Sequence, residues 1–427
     1  MEETVFVKKN KKELIICIPT YRRPEVIERF LEKQLPALKG TEVDLCIFDS
    51  SEDTDTYDII KQWRKSGYEN LLYERVDSKL NSAEKFLYIN QVSESWDYNY
   101  LWINHDHTVF STKGINHVLN MLKKECDIYF LDLFSGKICE EEGISLQNFF
   151  ETAAFLLSRF GTAIVSIERF AKGFQFDEFK AKYMKTETAS YIHIMYYYVV
   201  AASHENVPIA KIGMNDTCYS DILPDVNLSW INSVLEVTTL CWGTCIMSLP
   251  DCYKRKEKVL TLMEECFGIV DRLLYLKKNK KYGIKDYLKY SYWIKKVYKK
   301  NSKLIRRIAM YPYPIGFYLY NKCLIKKTSR SRKHGKKIYI YGAGNIARRC
   351  AERLEQIKCE YEGFVVSSME KNPAVLKGHN VYVAEEELKG KQAYIIIGVT
   401  PRAYNAICDT LEKCDAADIE YDLFDYI

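Results

Sequence analysis

Three short apolar runs within the first 110 residues constrain the fold of this 427-residue chain more than any other feature. They occupy residues 14–18, 43–48 and 100–103, and each breaks directly into polar residues, with acids after the second and third. Helix-like segments separate them. In an open α/β sheet, ligands bind where the strands end. The pattern therefore predicts an α/β fold with functional side chains at its strand ends.

The spacing of apolar residues predicts helices over residues 24–31, 56–63, 82–92 and 114–124. Pro24 is suited to the first turn of a helix, where its missing N–H is not needed. Strands and helices thus alternate along the chain. This order predicts a largely parallel sheet with helices on both faces.

The length predicts two or three domains. Residues 1–215 alternate strand and helix signals, residues 216–336 read as mainly helical, basic and aromatic-rich, and residues 337–427 form a small α/β unit. In the middle region, Pro312, Pro314 and Gly316 are expected to interrupt a helix. Residues 329–336 are predicted to be an exposed linker, and residues 401–413 a helix near the end of the chain.

The fourteen cysteines are scattered without a CxxC pair, which favours reduced, buried thiols of a cytosolic protein. The first residues lack a basic stretch followed by an apolar core, so a signal peptide is not expected. Uncharged apolar runs fall short of about 18 residues, so a membrane-spanning helix is not expected either.

Positive charge is concentrated in one block. Residues 277–337 hold 21 Lys or Arg and one acid, Asp286, although the net charge of the whole chain is only +5. Such a block suits an anionic membrane surface, where Tyr, Trp and Phe lie among the headgroups. An anionic polymer such as a phosphate-bearing glycan is a second interpretation. A solvated helical face, or a contact between copies in a homo-oligomer, is a third.

Two motifs in the first region resemble those of the inverting family-2 glycosyltransferases with the GT-A fold. Residues 19–23 read Pro-Thr-Tyr-Arg-Arg, similar to the turn that ends the family's first strand, and an acid-rich segment starts at Asp49 after the second strand. The resemblance implies that Asp49 meets the nucleotide base. The residues alone allow Asp49 or Asp53 to cap the next helix instead. The resemblance also implies donor-nucleotide contacts from Pro19, Thr20, Tyr21 and Arg23.

The family's third landmark is an Asp-x-Asp motif that holds a divalent cation against the donor diphosphate. Here it reads Asn104, His105, Asp106, followed by His107, so one acid survives. The resemblance implies donor contacts from these first three residues and Mn²⁺ or Mg²⁺ bound by Asp106 and His107. Alternatively, metal dependence is lost and Lys79 or Lys85 neutralises the phosphates. The simplest alternative makes the lysines a solvated helix face and the histidines ordinary turn residues.

An inverting transfer needs a base to deprotonate the acceptor hydroxyl. In the family this acid follows a Phe-Asp-Glu segment, and residues 176–179 and 185–188 look similar to that arrangement. Thr188 stands at the family's second acid position, so Glu187 is the candidate catalytic base, with Asp177 along the acceptor groove. Glu187 as an exposed helix acid is the alternative.

The C-terminal unit has a strand, then Gly-Ala-Gly-Asn-Ile-Ala over residues 342–347, then a helix. It resembles the small Rossmann-like domain at the N-terminus of sugar acyltransferases of the PglD type. That resemblance implies weak nucleotide or nucleotide-sugar binding at Gly342, Gly344 and Asn345. No acid stands at the end of the unit's second strand, which argues against NAD chemistry. A structural or assembly role is the alternative.

These observations together favour an inverting, hexosyltransferase-type glycosyltransferase that moves a sugar from a nucleotide-diphospho-sugar to a lipid-linked or polymeric glycan. Such an enzyme would serve bacterial surface polysaccharide synthesis as a cytoplasmic protein, peripheral at the inner face of the plasma membrane. A catalytically impaired binding or scaffold protein in a glycan-assembly complex is the alternative. Nucleic-acid binding by the basic block lacks any recognition motif and is not expected.

Overall fold

The computed structural model describes residues 12–133, 136–215, 217–221, 232–370, 372–399 and 404–424. The chain divides into two compact units. The first comprises Met1–Cys266 and Tyr290–Lys299, and the second comprises Phe267–Lys289 and Lys300–Ile427. The proposed three-region division at residues 215 and 336 remains a prediction.

The first unit is built on a mixed eight-stranded sheet with the order β3-β2-β1-β4-β8-β6-β9-β7, and a two-stranded sheet pairs β10 with β5. Neighbours among β1 to β4 are parallel, whereas β8 runs antiparallel to both β4 and β6. The α/β architecture expected for this region is confirmed, with a sheet that is mixed because β8 and β7 pair antiparallel with their neighbours. The strands are β1 (Lys12–Thr20), β2 (Val43–Asp49), β3 (Leu71–Arg75), β4 (Tyr98–Ile103), β5 (Thr108–Phe110), β6 (Ile128–Asp132), β7 (Cys139–Glu141), β8 (Ala163–Ser166), β9 (Ile209–Gly213) and β10 (Tyr219–Asp221).

Helices follow the strands of this unit as the periodicity predicts, with ends displaced by a few residues. A short 3₁₀ turn at Ala189–Tyr191 precedes α8, and a π-helical segment at Glu236–Cys241 precedes α9. The helices are α1 (Pro24–Leu38), α2 (Asp55–Lys65), α3 (Ser82–Ser93), α4 (Thr112–Leu122), α5 (Leu146–Ala153), α6 (Ile167–Phe170), α7 (Phe176–Tyr183), α8 (Ile192–Ser203), α9 (Trp242–Ser248), α10 (Lys256–Leu260) and α11 (Leu262–Cys266).

Two local features fix the strand ends relative to the helices. All seven residues of β2 are buried, as expected for a strand covered on both faces. The N-terminus of α3 carries a reciprocal capping box, in which Asn81 accepts from the Glu84 N–H and Glu84 accepts from the Asn81 N–H at 2.8 Å. This cap holds the first turn of α3, which contains Lys85, in one position.

The second unit carries a six-stranded sheet with the order β13-β14-β12-β11-β15-β16, parallel except for the β13–β14 hairpin. The Rossmann-like order of its parallel strands confirms the α/β prediction for the C-terminal region. Its strands are β11 (Lys337–Tyr341), β12 (Gly363–Val366), β13 (Val375–Leu376), β14 (His379–Val383), β15 (Gln392–Ile397) and β16 (Asp418–Leu423).

The helices of the middle and C-terminal regions confirm that the middle region is mainly helical. One of them, α13, contributes residues to both units. They are α12 (Ile269–Lys278), α13 (Ile284–Val297), α14 (Ser302–Met310), α15 (Tyr313–Lys333), α16 (Asn345–Gln356), α17 (Ala384–Glu387) and α18 (Tyr404–Lys413). None of the helices in the described ranges is both long and apolar enough to cross a bilayer.

One local prediction is confirmed and another is wrong. The helix is interrupted as expected, with the break at Tyr311 and Pro312. Pro314 and Gly316 lie inside α15, because proline is tolerated in a first helical turn. Residues 329–336 are not an exposed linker, because α15 continues to Lys333 with Ser331 buried. Lys336 is also buried, and its ammonium lies 2.7 Å from Asp418 and 3.0 Å from Glu420. The start of the helix predicted over 401–413 lies outside the described residues.

Candidate functional site

The carboxyl ends of β1, β2 and β4 lie side by side. Thr20 is paired with Asp49 across β1 and β2, and the Asn104 N–H donates to the Cys17 carbonyl at 2.9 Å. The loops after these strands therefore begin next to one another. The polar residues that lie at or beside these strand ends are called the strand-end cluster: Thr20, Tyr21, Arg23, Asp49, Lys85, Asn104, His105, Asp106 and His107.

Asp106 is the carboxylate at the centre of the cluster, and its side chain is only 6% exposed. Arg23 donates to both of its oxygens, at 3.3 and 3.2 Å, and His107 Nδ1 lies 3.1 Å from Oδ1. Burial acts to raise the pKa of Asp106, but the hydrogen bonds and charges of His107 and Arg23 outweigh it and hold the pKa below its ordinary value. Asp106 is therefore an anion at neutral pH that already has a cationic partner in Arg23.

His105 extends the cluster into the interior of the unit. Its ring stacks on His107 with centroids 4.4 Å apart and meets Phe160 edge-on, and Phe160 stacks on His193. Burial, reinforced by His107 and Arg159, lowers the pKa of His105 to about 3. Burial also lowers the pKa of His193 to about 4. Both imidazoles are therefore neutral at pH 7.

Lys85 places an ammonium group at the end of β1. Its Nζ donates to the Thr20 carbonyl at 3.0 Å and to Ser50 Oγ at 2.9 Å, and lies 5.7 Å from the centre of the Tyr21 ring. Burial lowers its pKa, although the nearby charges of Asp49 and Asp106 act in the opposite direction. A solvated helix face is therefore the wrong interpretation for Lys85. Lys79, by contrast, is exposed in a turn.

Asp49 is fully buried and faces its own loop. Its Oδ1 accepts from the Ser51 N–H at 2.9 Å and from Ser51 Oγ at 2.6 Å, while Oδ2 accepts from the Tyr73 hydroxyl at 3.1 Å. The capping interpretation is wrong for Asp49, whereas Asp53 Oδ1 accepts from the Asp55 N–H at 3.3 Å at the start of α2. Contact with a nucleotide base stays a prediction, and it would require Asp49 to exchange one of these partners.

Two buried oxygens of the cluster, Thr20 Oγ1 and Asn104 Oδ1, have no hydrogen-bond partner among the described residues. Asn104 Oδ1 is packed against Gly161, which has φ +83°, and a Cβ there would lie 1.9 Å from that oxygen. The segment of Arg159, Phe160 and Gly161 therefore supports the cluster. The sequence analysis missed it, because no motif marks these residues.

The two candidate catalytic acids lie apart from the contacts described so far. Asp177 is exposed on α7, whose Lys180 donates to Gln91 near the C-terminal end of α3. Gln91 is six residues beyond Lys85, or about 9 Å along the helix. Glu187 is exposed in the turn before the 3₁₀ segment Ala189–Tyr191, and this 3₁₀ segment contacts α3. Thr188 is buried and donates to the Tyr183 carbonyl, so this hydroxyl stabilises the turn.

The strand-end cluster offers two metal-ligating side chains together, Asp106 and His107. Among the residues that the structure describes, no group of three or more His, Cys, Asp or Glu is placed to hold a metal ion. Both carboxylate oxygens of Asp106 are also engaged by Arg23. A complete protein-ligated metal centre therefore does not fit these residues as they are arranged.

The glycine turn of the second unit has its own geometry. Gly342 has φ +107°, and a Cβ there would lie 2.9 Å from Val399, so glycine is needed at this position. Gly344 and Asn345 are exposed at the start of α16, where no described side chain caps the helix. Nucleotide binding at this turn stays a prediction.

A cavity of about 910 Å³ opens elsewhere in the first unit. It is lined at the beginnings of β1 and β4 by Glu13, Tyr98 and Tyr100, among others. It therefore lies at the opposite edge of the sheet from Asp106. Functional groups in parallel-strand folds concentrate at the carboxyl ends, and the chemistry described above is there.

Comparison with known proteins identifies a similar family for part of the first unit. Residues 15–192 match the model of the family described as Glycosyl transferase family 2. The matched region runs from β1 to the first residue of α8. It contains the whole strand-end cluster and both candidate catalytic acids.

Among individual proteins, the abequosyltransferase RfbV of Salmonella typhimurium is 26% identical over 117 residues, which cover 27% of this chain and 34% of that protein. The match thus spans about a third of that relative's length. Solved structures with similar backbones include S. aureus TarS 1–349, at 13% identity and a TM-score of 0.45, covering 69% of this chain and 86% of that one. Another is the mannosyltransferase PcManGT of Pyrobaculum calidifontis with GDP-Man and Mn²⁺, at 11% identity and 0.39, covering 74% and 89%.

Proposed function

We propose that this protein is an inverting glycosyltransferase that transfers a sugar from a nucleotide-diphospho-sugar to a lipid-linked or polymeric glycan in surface polysaccharide synthesis. The observation that carries the proposal is the convergence of Arg23, Lys85 and Asp106 at the ends of β1 and β4, inside the region that matches family 2. The diphosphate of a nucleotide-sugar donor is negatively charged, and fixed cations at the strand ends can bind it.

The chemistry assigns each group a role. As the sugar leaves, negative charge develops on the nucleoside diphosphate, and a preorganised cation nearby lowers the barrier. Lys85 is held for this by Thr20 and Ser50. Arg23 is half-exposed, so its guanidinium can turn from Asp106 towards a phosphate. The exposed Tyr21 ring lies beside Lys85 and offers a stacking surface for the base.

A divalent cation enters the proposal only in a limited form. When bound, Mn²⁺ or Mg²⁺ would neutralise diphosphate charge. Asp106 and His107 are the residues that would approach it, with the remaining ligands supplied by donor oxygens and water. Arg23 offsets the charge of Asp106, so Lys85 is the side chain that adds positive charge to the cluster without an ion.

Glu187 is proposed as the base that takes the proton from the acceptor hydroxyl, with Asp177 further along the acceptor groove. Both side chains are exposed, as residues facing a bulky acceptor must be. Deprotonation of the acceptor as it attacks the anomeric carbon displaces the nucleoside diphosphate in one step and inverts that carbon.

A thermal-shift panel of UDP-, GDP-, CDP- and dTDP-sugars, each with Mn²⁺, Mg²⁺ or EDTA, tests the proposal. We expect at least one donor to raise the melting temperature and the variant Lys85→Met to reduce that rise. The control variant Lys33→Met, which removes an exposed ammonium from α1, should behave as wild type. The proposal fails if none of the donors shifts the wild-type melting temperature under any metal condition.

A second candidate function is a binding or scaffold protein without turnover. Two observations favour it: Asn104 stands where the family has an acid, and Thr188 is buried at the second acid position. Donor binding without sugar transfer or donor hydrolysis would support this candidate. Donor hydrolysis that is lost in Glu187→Gln would contradict it.

The partners and location belong to the same proposal. We infer a cytoplasmic protein, peripheral at the inner face of the plasma membrane, with residues 277–337 facing anionic lipid and a homo-oligomer as a further expectation. The glycine turn at Gly342, Gly344 and Asn345 is proposed as a weak second nucleotide site. We do not propose nucleic acid as a partner.

A further inference from the structure

Helices α14 and α15 are joined by a short turn and pack against each other within the second unit, and we call this pair the hairpin. The hairpin turns at Tyr311 and Pro312, and Gly316 sits so close to α14 that an added Cβ would lie 3.5 Å from the Ile308 Cα. Ile305 and Ile308 are fully buried on the inner face of α14. The hairpin is therefore a packed element, and its turn is held by the contacts between α14 and α15.

Large apolar side chains are exposed at this turn. Met310 is 51% exposed, Tyr311 43%, Ile315 47% and Tyr318 52%. Residues 315 and 318 are three apart in α15, so they share one face at its start, while Met310 ends α14 and Tyr311 lies in the turn. We call these four residues the hairpin tip. Soluble proteins rarely expose such a cluster without a partner for it.

Basic side chains flank the hairpin tip on both helices. Residues 300–333 contain ten Lys or Arg and no Asp or Glu. Arg306 and Arg307 are exposed on α14 one turn before Met310, and Lys322 and Lys326 are exposed on α15 beyond Tyr318. With residues 315 and 318, the 3.6-residue period places 322 and 326 on the same face of α15. The apolar tip is thus bordered by positive charge along the face it shares.

We propose that the hairpin tip is a membrane-docking element that inserts into the headgroup region of an anionic bilayer. Met310 and Ile315 enter the boundary of the acyl chains, Tyr311 and Tyr318 lie among the headgroups, and Arg306, Arg307, Lys322 and Lys326 bind lipid phosphates. A soluble polyanion would satisfy the basic residues but would leave the aliphatic side chains in water. The inference gives the proposed glycosyltransferase its route to a lipid-linked acceptor, and in that respect it rests on the proposed function.

Vesicle flotation of the full chain tests this inference. We expect binding to phosphatidylcholine vesicles that contain phosphatidylglycerol and little binding to pure phosphatidylcholine. Met310→Ser with Ile315→Ser should weaken binding about tenfold or more, because two half-buried aliphatic side chains lose their apolar surroundings. Arg306→Ala with Lys322→Ala should weaken it about thirtyfold, at about 1 kcal/mol per charge. Met247→Ser, a similarly exposed methionine in α9, is the matched control.

Further readouts separate the outcomes. In a Tyr318→Trp variant, fluorescence should shift to the blue on anionic vesicles and be quenched by brominated lipid. Wild-type binding by the Met310→Ser, Ile315→Ser variant would overturn the proposal, as would equal binding to soluble polyphosphate that depends only on the basic residues. Melting temperatures of the variants show whether they fold. Since donor-induced thermal shifts do not involve the tip, their loss would count against the glycosyltransferase proposal, and loss of vesicle binding alone would not.

Discussion

The strand ends of the first unit and the glycine turn of the second unit are both places where parallel strands lead into helices. The first surrounds this place with charged side chains: Arg23 and Lys85 face Asp106. The second offers the N-terminus of α16 and a tight turn, with the Tyr341 hydroxyl 2.7 Å from Ser367 Oγ at the neighbouring strand end. The same topology thus supports preorganised charge in one unit and mainly backbone N–H groups in the other.

The difference teaches that topology supplies a position and that side chains decide its chemistry. A parallel sheet brings loops together at one edge whatever their sequence. Only where cations and carboxylates converge in a partly buried place does that edge stabilise charge separation. We therefore expect turnover to depend on the first unit, and the following experiments are ordered by the size of effect that this comparison predicts.

Glu187→Gln should have the largest effect. If Glu187 is the base, turnover falls about 100- to 10,000-fold, the range for removal of a general base. Donor affinity should change little, because Glu187 is exposed in a turn that is separate from the strand-end cluster. Release of nucleoside diphosphate with acceptor present is the measurement, and Glu205→Gln, another exposed acid, is the control. Retained turnover would reject Glu187 as the base and direct the test to Asp177.

Gly161→Ala should have the next largest effect, and on stability. The residue has φ +83° and abuts Asn104, so the added methyl group strains the backbone and must displace the Asn104 side chain. We expect a loss of about 2–4 kcal/mol in the free energy of unfolding and weaker donor binding. Gly344→Ala is the matched control in the second unit. Nothing lies within 4 Å of its new Cβ, and it should change stability by less than about 1 kcal/mol. Equal losses in both variants would contradict the difference between the two sites.

Lys85→Met should weaken donor binding about 10- to 100-fold, the value of one charge-assisted contact of about 1.5–3 kcal/mol. Lys79→Met is the matched control, because Lys79 is exposed in its turn. Titration calorimetry with the donor found in the thermal-shift panel measures both. Unfolding curves are needed alongside, since Lys85 also donates to Thr20 and Ser50. If Lys79→Met has the larger effect on affinity, the assignment of the phosphate-facing lysine is wrong.

Much of the first site could be predicted from local sequence. Each apolar run ends at a polar residue, so the positions of Thr20, Asp49 and Asn104 followed from the strands, and the α3 cap that positions Lys85 lies within four residues of it. Long-range contacts could not be predicted. Arg23 and Asp106 are 83 residues apart, and Gly161 supports Asn104 from a loop without any motif. The prediction of an exposed linker was wrong for the same reason. Helix α15 packs on β11, and a basic, polar sequence does not indicate that contact.

The pH dependence of stability offers a finer test of the first site. Burial lowers the pKa of His105 to about 3, far below the ordinary value of about 6.5. The unfolded chain therefore binds a proton that the folded chain does not, and stability falls as pH decreases from about 6.5 towards 3. One such group contributes at most about 1.4 kcal/mol per pH unit. Chemical denaturation across this range should show a shallower fall in His105→Gln. An NMR titration in which His105 protonates near pH 6.5 would contradict its burial.

Gly344→Asp should have the smallest effect and bears directly on the second site. The new carboxylate would stand at the start of α16, where it repels a bound phosphate, and its Cβ meets no neighbouring atom within 4 Å. If the first unit holds the donor, turnover and donor affinity should match wild type. A nucleotide bound at the glycine turn would contribute its own part of the nucleotide-induced thermal shift. Gly344→Asp should remove that part, and Lys85→Met should leave it unchanged. Loss of turnover in Gly344→Asp would break the comparison, because it would place essential phosphate contacts where the structure offers mainly backbone donors.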